Sequence, residues 1–141
     1  MSNTRASYKY FLTIPTRWMD NDVYGHVNNV VYYSYFDTVV NDYLIRHGGL
    51  DYRDGAIIGF VIETMCQYKK SLAFPESVDV GLRVAKIGNS SVRFEIGIFK
   101  WGDDELAAFG HFVHVFVERT AQKAVAIPER IRGALETILV S

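Results

Sequence analysis

Residues 18–36 read WMDNDVYGHVNNVVYYSYF, and this stretch decides the fold. It begins as a short acidic loop, passes through Gly25 and His26, and continues as an aromatic-rich segment whose apolar residues extend to Ile45. A segment of this kind predicts a helix that is apolar on nearly every side and therefore needs cover on most of them. Its one polar stripe consists of side chains that recur at helical spacing, Ser34, Asp37, Thr38 and Asn41.

The ends of this predicted helix carry residues that favour caps. Asn28 or Asn29 can cap the start, and the glycine pair at 48–49 can end the helix. Two carboxylates, Asp20 and Asp22, therefore precede the N-terminus of a buried helix. Free backbone N–H groups point out of such an end, and the helix dipole favours negative charge there. Chemistry that develops an oxyanion can use this arrangement.

Length and composition favour one domain that spans residues 1–141. A hydrophobic content of 49% and an aromatic content of 14% fit a compact globular protein with a real core. The net charge of −1 argues against a general nucleic-acid surface, so we expect no nucleic-acid partner.

Cysteine usage and hydropathy predict the compartment. The single cysteine, Cys66, cannot form an internal disulfide, and the chain has no paired-cysteine spacing for a metal. No apolar run approaches the roughly 20 residues of a membrane span, and the N-terminus lacks an apolar signal core. We therefore expect a soluble, cytoplasmic protein without a membrane span.

Outside the central helix, hydrophobic periodicity predicts five strands and one closing helix. Pro15 indicates that the first strand is an edge strand or is bulged, and Gly88-Asn89 is a candidate two-residue hairpin turn. This order predicts an α+β fold in which a curved, mainly antiparallel sheet wraps around the central helix. The strands are expected at 8–18, 57–70, 77–87, 91–101 and 105–120, and the closing helix opens at Pro128 with Ile131, Leu135 and Ile138 on one side.

Apolar residues also recur on the predicted sheet face that points away from the helix. Examples are Phe99, Trp101, Phe109 and Val113. A bare sheet face of this kind is unusual for a monomer. We therefore expect a homo-oligomer, either a dimer or a dimer of dimers.

Asp22 is the strongest candidate for chemistry. It precedes Gly25, which permits a tight backbone, and it lies near the start of the predicted helix. A carboxylate there can act as a nucleophile on an acyl carbon or as a general base on water. The alternative is a carboxylate that only caps the helix or braces the loop.

The stretch 18–36 resembles the signature of hotdog-fold thioesterases of the 4-hydroxybenzoyl-CoA thioesterase family. In that signature an Asp-x-Asp pair is followed by Gly, by His or a hydrophobic residue, by Asn, and by an aromatic-rich helix. Residues 58–68, the segment KIGNSS at 86–91 and the segment IPE at 127–129 also resemble the family, so the resemblance covers about residues 8–139. It implies a hotdog fold and an acyl-CoA thioesterase that needs no metal or redox cofactor.

The resemblance also implies roles for particular residues. The family's catalytic carboxylate is the second acid of the Asp-x-Asp pair, which falls on Asp22 and makes Asp20 a structural partner. The family's amide donor at the helix N-terminus falls on Asn29 and requires only its backbone N–H. Sites in the family lie at a dimer interface, so coenzyme A would contact both subunits. An acyl carrier protein can replace coenzyme A as the carrier of the thiol.

Four further residues near Asp22 are candidates for substrate binding. They are Gly25, His26, Asn28 and Asp37. His26 can be a general base or can shape the pocket, and Asn28 can brace the loop or simply cap the helix. Asp37 lies two turns along the helix, where it can face the acyl group or belong to the polar stripe.

Coenzyme A carries phosphates, which require basic or N–H-rich surface. The candidate contacts lie in and around one predicted turn: Lys86, Gly88, Asn89, Ser90, Ser91 and Arg93. Some relatives carry clustered basic residues within this turn, where this chain has Asn-Ser-Ser. Lys69 and Lys70 are the alternative phosphate contacts, and a solvated face is the alternative for every one of these basic residues.

The remaining titratable residues favour structural roles. Glu63 lies in an apolar strand and can be a second acid of the pocket or can pair across the sheet. His111 and His114 are three residues apart in a strand, so they face opposite sides and do not form a metal pair. Cys66 has no neighbouring residue in sequence that would activate it, which favours inert packing.

Two other functions stay open on the same fold. One is a non-catalytic module that binds acyl thioesters or assists assembly, which the presence of Asp22 disfavours. The other is a hotdog dehydratase, which the absence of a histidine-centred motif disfavours. The many tyrosines and phenylalanines suit an aromatic or a fatty acyl group equally well.

Overall fold

The structure, a computed structural model, describes residues 3–140 and consists of one antiparallel five-stranded sheet packed on a long helix. The predicted domain extends to positions 1, 2 and 141, which lie outside the described residues. The strands follow the order β1-β3-β4-β5-β2 across the sheet. In chain order the elements are β1 (Tyr10–Pro15), α1 (Asn29–Arg46), β2 (Ile57–Tyr68), β3 (Ser77–Ile87), β4 (Ser91–Lys100), β5 (Leu106–Glu118) and α2 (Glu129–Thr137).

Helix α1 forms as the sequence predicts. Asn28 caps it by accepting the N–H of Val30 at 3.1 Å, and Gly49 follows its end with φ at +67°. The predicted polar stripe is confirmed, because Ser34, Asp37 and Thr38 are exposed. The rest of the helix supplies much of the core through Tyr32, Tyr35, Phe36, Val39, Val40, Tyr43 and Leu44. No helix within residues 3–140 is long and apolar enough to cross a membrane.

The inner face of the sheet packs on α1 through alternating residues of the central strands. On β3, for example, Val78, Val80, Leu82 and Val84 have no exposed surface. Strand β1 is an edge strand, as Pro15 predicted. Helix α2 closes the core by burying Ile131 and Leu135, and Ile138 directly after the helix is buried as well, which confirms the predicted apolar side.

The outer face of the sheet differs from the prediction at Phe99. This residue is fully buried within the chain, because Tyr8 packs edge-on at 6.0 Å and the Arg5 guanidinium lies 4.9 Å from the ring centroid. Tyr8 precedes β1 rather than belonging to it, and it crosses the outer face. A Cβ at Gly97 would lie 2.6 Å from Tyr8 Cζ, so glycine permits this close approach. Trp101 is 65% exposed, whereas Phe109 and Val113 are half-buried.

The turn between β3 and β4 is also displaced from the prediction. Gly88 donates its N–H to the carbonyl oxygen of Ser91 at 2.7 Å, so Asn89 and Ser90 form the turn instead of Gly88 and Asn89. Arg132 on α2 donates to the carbonyl oxygen of Gly88 at 2.7 Å. The turn is therefore held against the closing helix.

The two ends of the sheet carry different features. The end that we call the site end holds Tyr68, Ser77 and the start of α1, since Tyr68 donates to the carbonyl oxygen of Asn29. The opposite end, which we call the far end, holds the β3–β4 turn and the start of α2. With 11 residues in β3 at about 3.3 Å each, the two ends lie roughly 35 Å apart.

Strand β2 leaves one edge unpaired in the described chain. It is interrupted by a bulge between Val61 and Glu63, and Phe60, Val61 and Ile62 are 36%, 45% and 63% exposed. An exposed apolar edge strand favours pairing with another chain. The predicted homo-oligomer remains a prediction, and this edge offers a surface on which a second chain could pair.

His114 occupies an unusual position in the core. Its imidazole is 3% exposed, packs against Phe94 and Phe112, and has no hydrogen-bond partner for either ring nitrogen among the described residues. Burial lowers the pKa of His114 from 6.5 to about 4. The folded protein therefore holds this imidazole neutral across the mildly acidic range.

We predict that His114 makes stability pH-dependent between about 6.5 and 4. As pH falls through this range, the unfolded chain protonates His114 while the folded chain does not, so the free energy of unfolding decreases. The loss from this group approaches about 3 kcal/mol at pH 4. His114→Leu should flatten the slope measured by urea unfolding at several pH values. The control His26→Gln removes an exposed imidazole, and an unchanged slope in His114→Leu would contradict the prediction.

Candidate active site

Asp22 is carried by a tight hairpin that precedes α1. Its N–H donates to the carbonyl oxygen of His26 at 3.0 Å, and its carbonyl oxygen accepts the N–H of Gly25 at 3.0 Å. Gly25 has φ at +83°, a conformation that favours glycine. Asn21 and Val27 form an isolated bridge that closes the hairpin. The loop is thus ordered by its own backbone and leads directly into the helix.

The Asp22 carboxylate is only partly engaged. One oxygen, Oδ1, accepts the N–H of Tyr24 at 2.9 Å, which braces the turn. Within residues 3–140, the other oxygen has no hydrogen-bond donor and the carboxylate has no ion-pair partner. The side chain is half-buried, so one oxygen remains available to a substrate or a water molecule.

Asp20 has the opposite environment. Its carboxylate is 1% exposed and accepts the Tyr35 hydroxyl at 2.8 Å, the Arg17 N–H at 2.9 Å and Arg17 Nε at 3.0 Å. Burial alone would raise the pKa of Asp20, but the hydrogen bonds from the Arg17 backbone and the Tyr35 hydroxyl outweigh it and hold the pKa below its usual value. These contacts agree with the structural role implied for Asp20.

The start of α1 presents one unengaged amide. Asn28 accepts two N–H groups of the first turn, since its side chain accepts from Val30 and its carbonyl oxygen accepts from Val31 at 2.9 Å. In the described part of the chain, the N–H of Asn29 has no acceptor. The helix dipole adds partial positive charge at this end. Asn28 therefore acts as the cap, which is one of its two predicted roles, and leaves the Asn29 N–H free.

Two concavities meet at this helix end. The larger, about 1100 Å³, contains Asp22 and Asn28, and the smaller, about 340 Å³, contains Asn29. They adjoin across the segment 27–29. The larger one is completed by Trp18, Met19, Asn21, Val23, Tyr24 and Gly25, and the smaller one by Val27, Tyr32, Tyr68, Lys69, Lys70 and Ser71.

Large apolar side chains surround Asp22 and are exposed to an unusual degree. Val23 is 95% exposed, Tyr24 84%, Trp18 76% and Met19 72%. Further along, Val30 on the first turn of α1 is 66% exposed. A contiguous apolar rim of this kind favours a ligand or another chain as cover.

The predicted substrate contacts lie in different places. His26 is exposed on the Asp22 hairpin, and Asp37 is exposed on α1, where its Oδ1 accepts Asn41 Nδ2 at 3.1 Å. The turn residues lie at the far end of the same protomer and do not meet Asp22: Lys86, Gly88, Asn89, Ser90, Ser91 and Arg93. Their role as phosphate contacts stays a prediction that requires a second protomer.

Among the basic residues, the local contacts differ. Arg93 lies 3.2 Å from His111 Nδ1 and 4.0 Å from a Glu95 oxygen, and Lys70 pairs with Asp103 at 3.1 Å. Lys69 lines the smaller concavity beside Asn29. Its ammonium group has no ion-pair partner in the chain from residue 3 to residue 140, so it can bind an anion.

The remaining titratable residues take structural positions. Glu63 pairs across the sheet with His111 at 2.8 Å, as predicted, while His114 points into the core. Partial burial raises the pKa of the Cys66 thiol, which agrees with inert packing. These residues do not extend the Asp22 site within one protomer.

Sequence reasoning missed one residue beside the helix start. Tyr68, the last residue of β2, donates its hydroxyl to the carbonyl oxygen of Asn29 at 3.0 Å and lines the same concavity. The two residues are 39 positions apart, and no local spacing signals their contact. Only the fold, which places the end of β2 beside the start of α1, brings them together.

The chain matches known proteins in both sequence and structure. The sequence model of the thioesterase-like superfamily matches residues 16–135 of this chain. The crystal structure of the PA5185 protein from Pseudomonas aeruginosa strain PAO1 is 52% identical, with a TM-score of 0.96 over 98% of this chain and 96% of that one.

Two solved thioesterases are more distant. One, from Thermus thermophilus, is complexed with coenzyme A and Zn; it is 28% identical, with a TM-score of 0.77 over 91% of this chain and 98% of that one. The other is the DHNA-CoA thioesterase from Staphylococcus aureus, 25% identical, with a TM-score of 0.78 over 90% and 86% of the two chains. The predicted hotdog fold is confirmed by these likenesses.

We predict that the two aspartates differ in their effect on stability. Asp20→Asn should lower the free energy of unfolding by about 2–3 kcal/mol, because it weakens charge-assisted hydrogen bonds at a buried site. Asp22→Asn is the matched control and should change it by less than about 0.5 kcal/mol, since the amide oxygen still accepts from Tyr24. Urea unfolding at neutral pH measures both. Equal losses in the two variants would contradict the assignment.

Proposed function

Since the chain belongs to the thioesterase-like superfamily, we propose that it hydrolyses acyl-CoA thioesters to a carboxylic acid and coenzyme A. The observation that carries this proposal is the Asp22 carboxylate, which keeps one oxygen without a partner in the described chain at the start of a helix. The Thermus thermophilus neighbour complexed with coenzyme A supports the class of substrate.

In the proposed mechanism, the thioester carbonyl lies against the start of α1. The free N–H of Asn29 donates to the carbonyl oxygen and stabilises the oxyanion that develops during attack. The helix dipole acts in the same direction. Asn28 and Asp20 hold this helix end in place through the cap and through the bond from the Asn28 N–H to the Asp20 carbonyl oxygen, at 2.9 Å.

Asp22 can perform the reaction by either of two routes. As a nucleophile, its free oxygen attacks the acyl carbon, the coenzyme A thiolate leaves and takes a proton from water, and a second water hydrolyses the anhydride. As a general base, it accepts a proton from water while the resulting hydroxide attacks the acyl carbon; the proton then passes to the leaving thiolate. Both routes need the carboxylate form and the same oxyanion donor.

The surroundings of Asp22 favour an apolar acyl group. The larger concavity has four large, exposed apolar side chains, Trp18, Met19, Val23 and Tyr24. Burial of an acyl group against them would remove apolar surface from water. The aromatic and aliphatic members of this set accommodate either an aryl or a fatty chain.

We also propose that the phosphates of coenzyme A bind to a second protomer. The β3–β4 turn lies roughly 35 Å from the site end of its own protomer. At this distance, the turn cannot contact a substrate group that is bound at Asp22 of the same protomer. If two protomers pair antiparallel along the free edge of β2, the partner's sheet runs in the reverse direction. Its far end, with Lys86 and the turn, then lies beside the site end of the first protomer.

We predict that Asp22→Asn lowers kcat by roughly 10²–10⁴-fold, because the amide is neither a base nor an effective nucleophile. The Kd for an acyl-CoA analogue should change little, since the coenzyme contacts lie elsewhere. The measurement is hydrolysis of short, long, branched and aryl acyl-CoAs, with acyl carrier protein thioesters as the alternative carrier.

Asp20→Asn serves as the matched control for this variant: it should lower kcat less than Asp22→Asn does, and mainly through lost stability. Folded Asp22→Asn protein with wild-type turnover would refute the catalytic assignment. Wild-type protein that binds thioesters tightly but hydrolyses none in the panel would favour the non-catalytic binding module.

We predict that Lys86→Ala raises KM by roughly 5-fold with little change in kcat, because an exposed phosphate contact contributes about 1 kcal/mol of uniform binding. Lys86 is exposed and has no ion-pair partner within the described residues. When Lys86→Ala protein is mixed with an excess of Asp22→Asn chains, the active sites that remain should show the wild-type KM. In the mixed dimer, the intact Asp22 then faces a partner with an intact Lys86.

Mixing the two variants shows whether the turn that contacts the phosphates belongs to the same protomer as Asp22 or to its partner. A KM that stays raised would place the phosphate contact within the same protomer or elsewhere, and Lys69 would be tested next. A monomer at micromolar concentration in light scattering would reject the two-protomer site altogether.

A further inference from the structure

Tyr68 links the end of β2 to the first residue of α1. Its hydroxyl donates to the carbonyl oxygen of Asn29 at 3.0 Å, and its ring packs edge-on against Tyr32 at 5.0 Å. Partial burial raises the pKa of Tyr68 to about 12, so the hydroxyl remains a donor over the working pH range. The contact lies directly beside the amide proposed as the oxyanion donor.

The peptide unit between Asn29 and Val30 is held by side chains at both ends. Tyr68 binds its carbonyl oxygen, and Asn28 Oδ1 binds its N–H at 3.1 Å. A peptide unit is planar, so two contacts on opposite edges fix its orientation. They thereby restrict the backbone dihedrals of Asn29, whose own N–H lies on the preceding peptide unit.

The stability of the helix does not require this contact. In an α-helix, the carbonyl oxygen of the first residue already accepts the N–H four residues later, so the Tyr68 hydroxyl is a second donor to an acceptor that has a partner. Tyr68 is also 45% exposed, and a hydrogen bond at such a position adds little to stability. The contact is better explained as a means of fixing the backbone geometry at the helix start than as a contribution to the stability of the fold.

We propose that Tyr68 is a positioning residue that orients the Asn29 N–H toward the thioester oxygen. This inference rests on the proposed thioesterase function and adds a residue to its oxyanion site. Tyr68 acts through the backbone of Asn29 and does not touch the reacting atoms. Its effect should therefore fall on the transition state, where the oxyanion forms, more than on binding of the substrate.

The test is Tyr68→Phe, which keeps the ring and removes the hydroxyl. Loss of the clamp should lower kcat by roughly 10-fold with KM changed less than about 2-fold, because misplacing a donor costs less than removing it. Amide hydrogen exchange at Val30, measured by NMR, should become faster in the same variant. This second readout does not depend on turnover.

Tyr43→Phe is the matched control. It removes the same kind of bond, from a tyrosine hydroxyl to the carbonyl oxygen of Ala134 at 2.6 Å, but near the other end of α1. It should lower thermal stability at least as much as Tyr68→Phe while leaving kcat and Val30 exchange unchanged.

Three results would overturn the inference: unchanged kcat in Tyr68→Phe, a rise in KM alone, or equal losses of kcat in both variants. If the wild type hydrolyses no thioester, the proposed function fails separately. Val30 exchange then decides whether Tyr68 holds the helix start, and unchanged exchange would reject the positioning role.

Discussion

The buried carboxylate of Asp20 is the contact on which the site depends. Its side chain receives the Tyr35 hydroxyl from α1 and the Arg17 backbone from the chain that leaves β1, while its carbonyl oxygen receives the Asn28 N–H. One residue thus joins an edge strand, the Asp22 hairpin and the helix cap. The cost of burying the charge is offset by these donors, and the geometry at the helix start follows from it.

Much of this arrangement can be predicted from sequence because it is local. Asn28 caps α1 and Gly25 permits the turn after Asp22. In each case the interacting residues lie within four positions of one another in the sequence. The order of strands and helices follows from periodicity in the same way. Asp22 stands out in the sequence by its place before the helix. Only the structure shows that one of its carboxylate oxygens is free in the described chain and that the Asp20 carboxylate is fully hydrogen-bonded.

Contacts between distant segments could not be predicted, and they explain the errors. Phe99 was expected on a bare face because nothing near it in sequence indicates that Tyr8 and Arg5 cross that face. The bulges between Val61 and Glu63 and between Val84 and Lys86 shift the register of their strands, and alternation alone does not locate them. The contact of Tyr68 with Asn29 depends on the register of β2 after its bulge.

Two open features of the protomer lie next to each other. The free edge of β2 ends at Tyr68, which contacts the first residue of α1, and the exposed apolar rim around Asp22 begins on the other side of that helix start. In the proposed enzyme, a second chain on this edge would lie beside the rim, exclude water from the Asn29 amide and strengthen its interaction with an oxyanion. In the proposed enzyme, assembly and catalysis would therefore depend on the same surface.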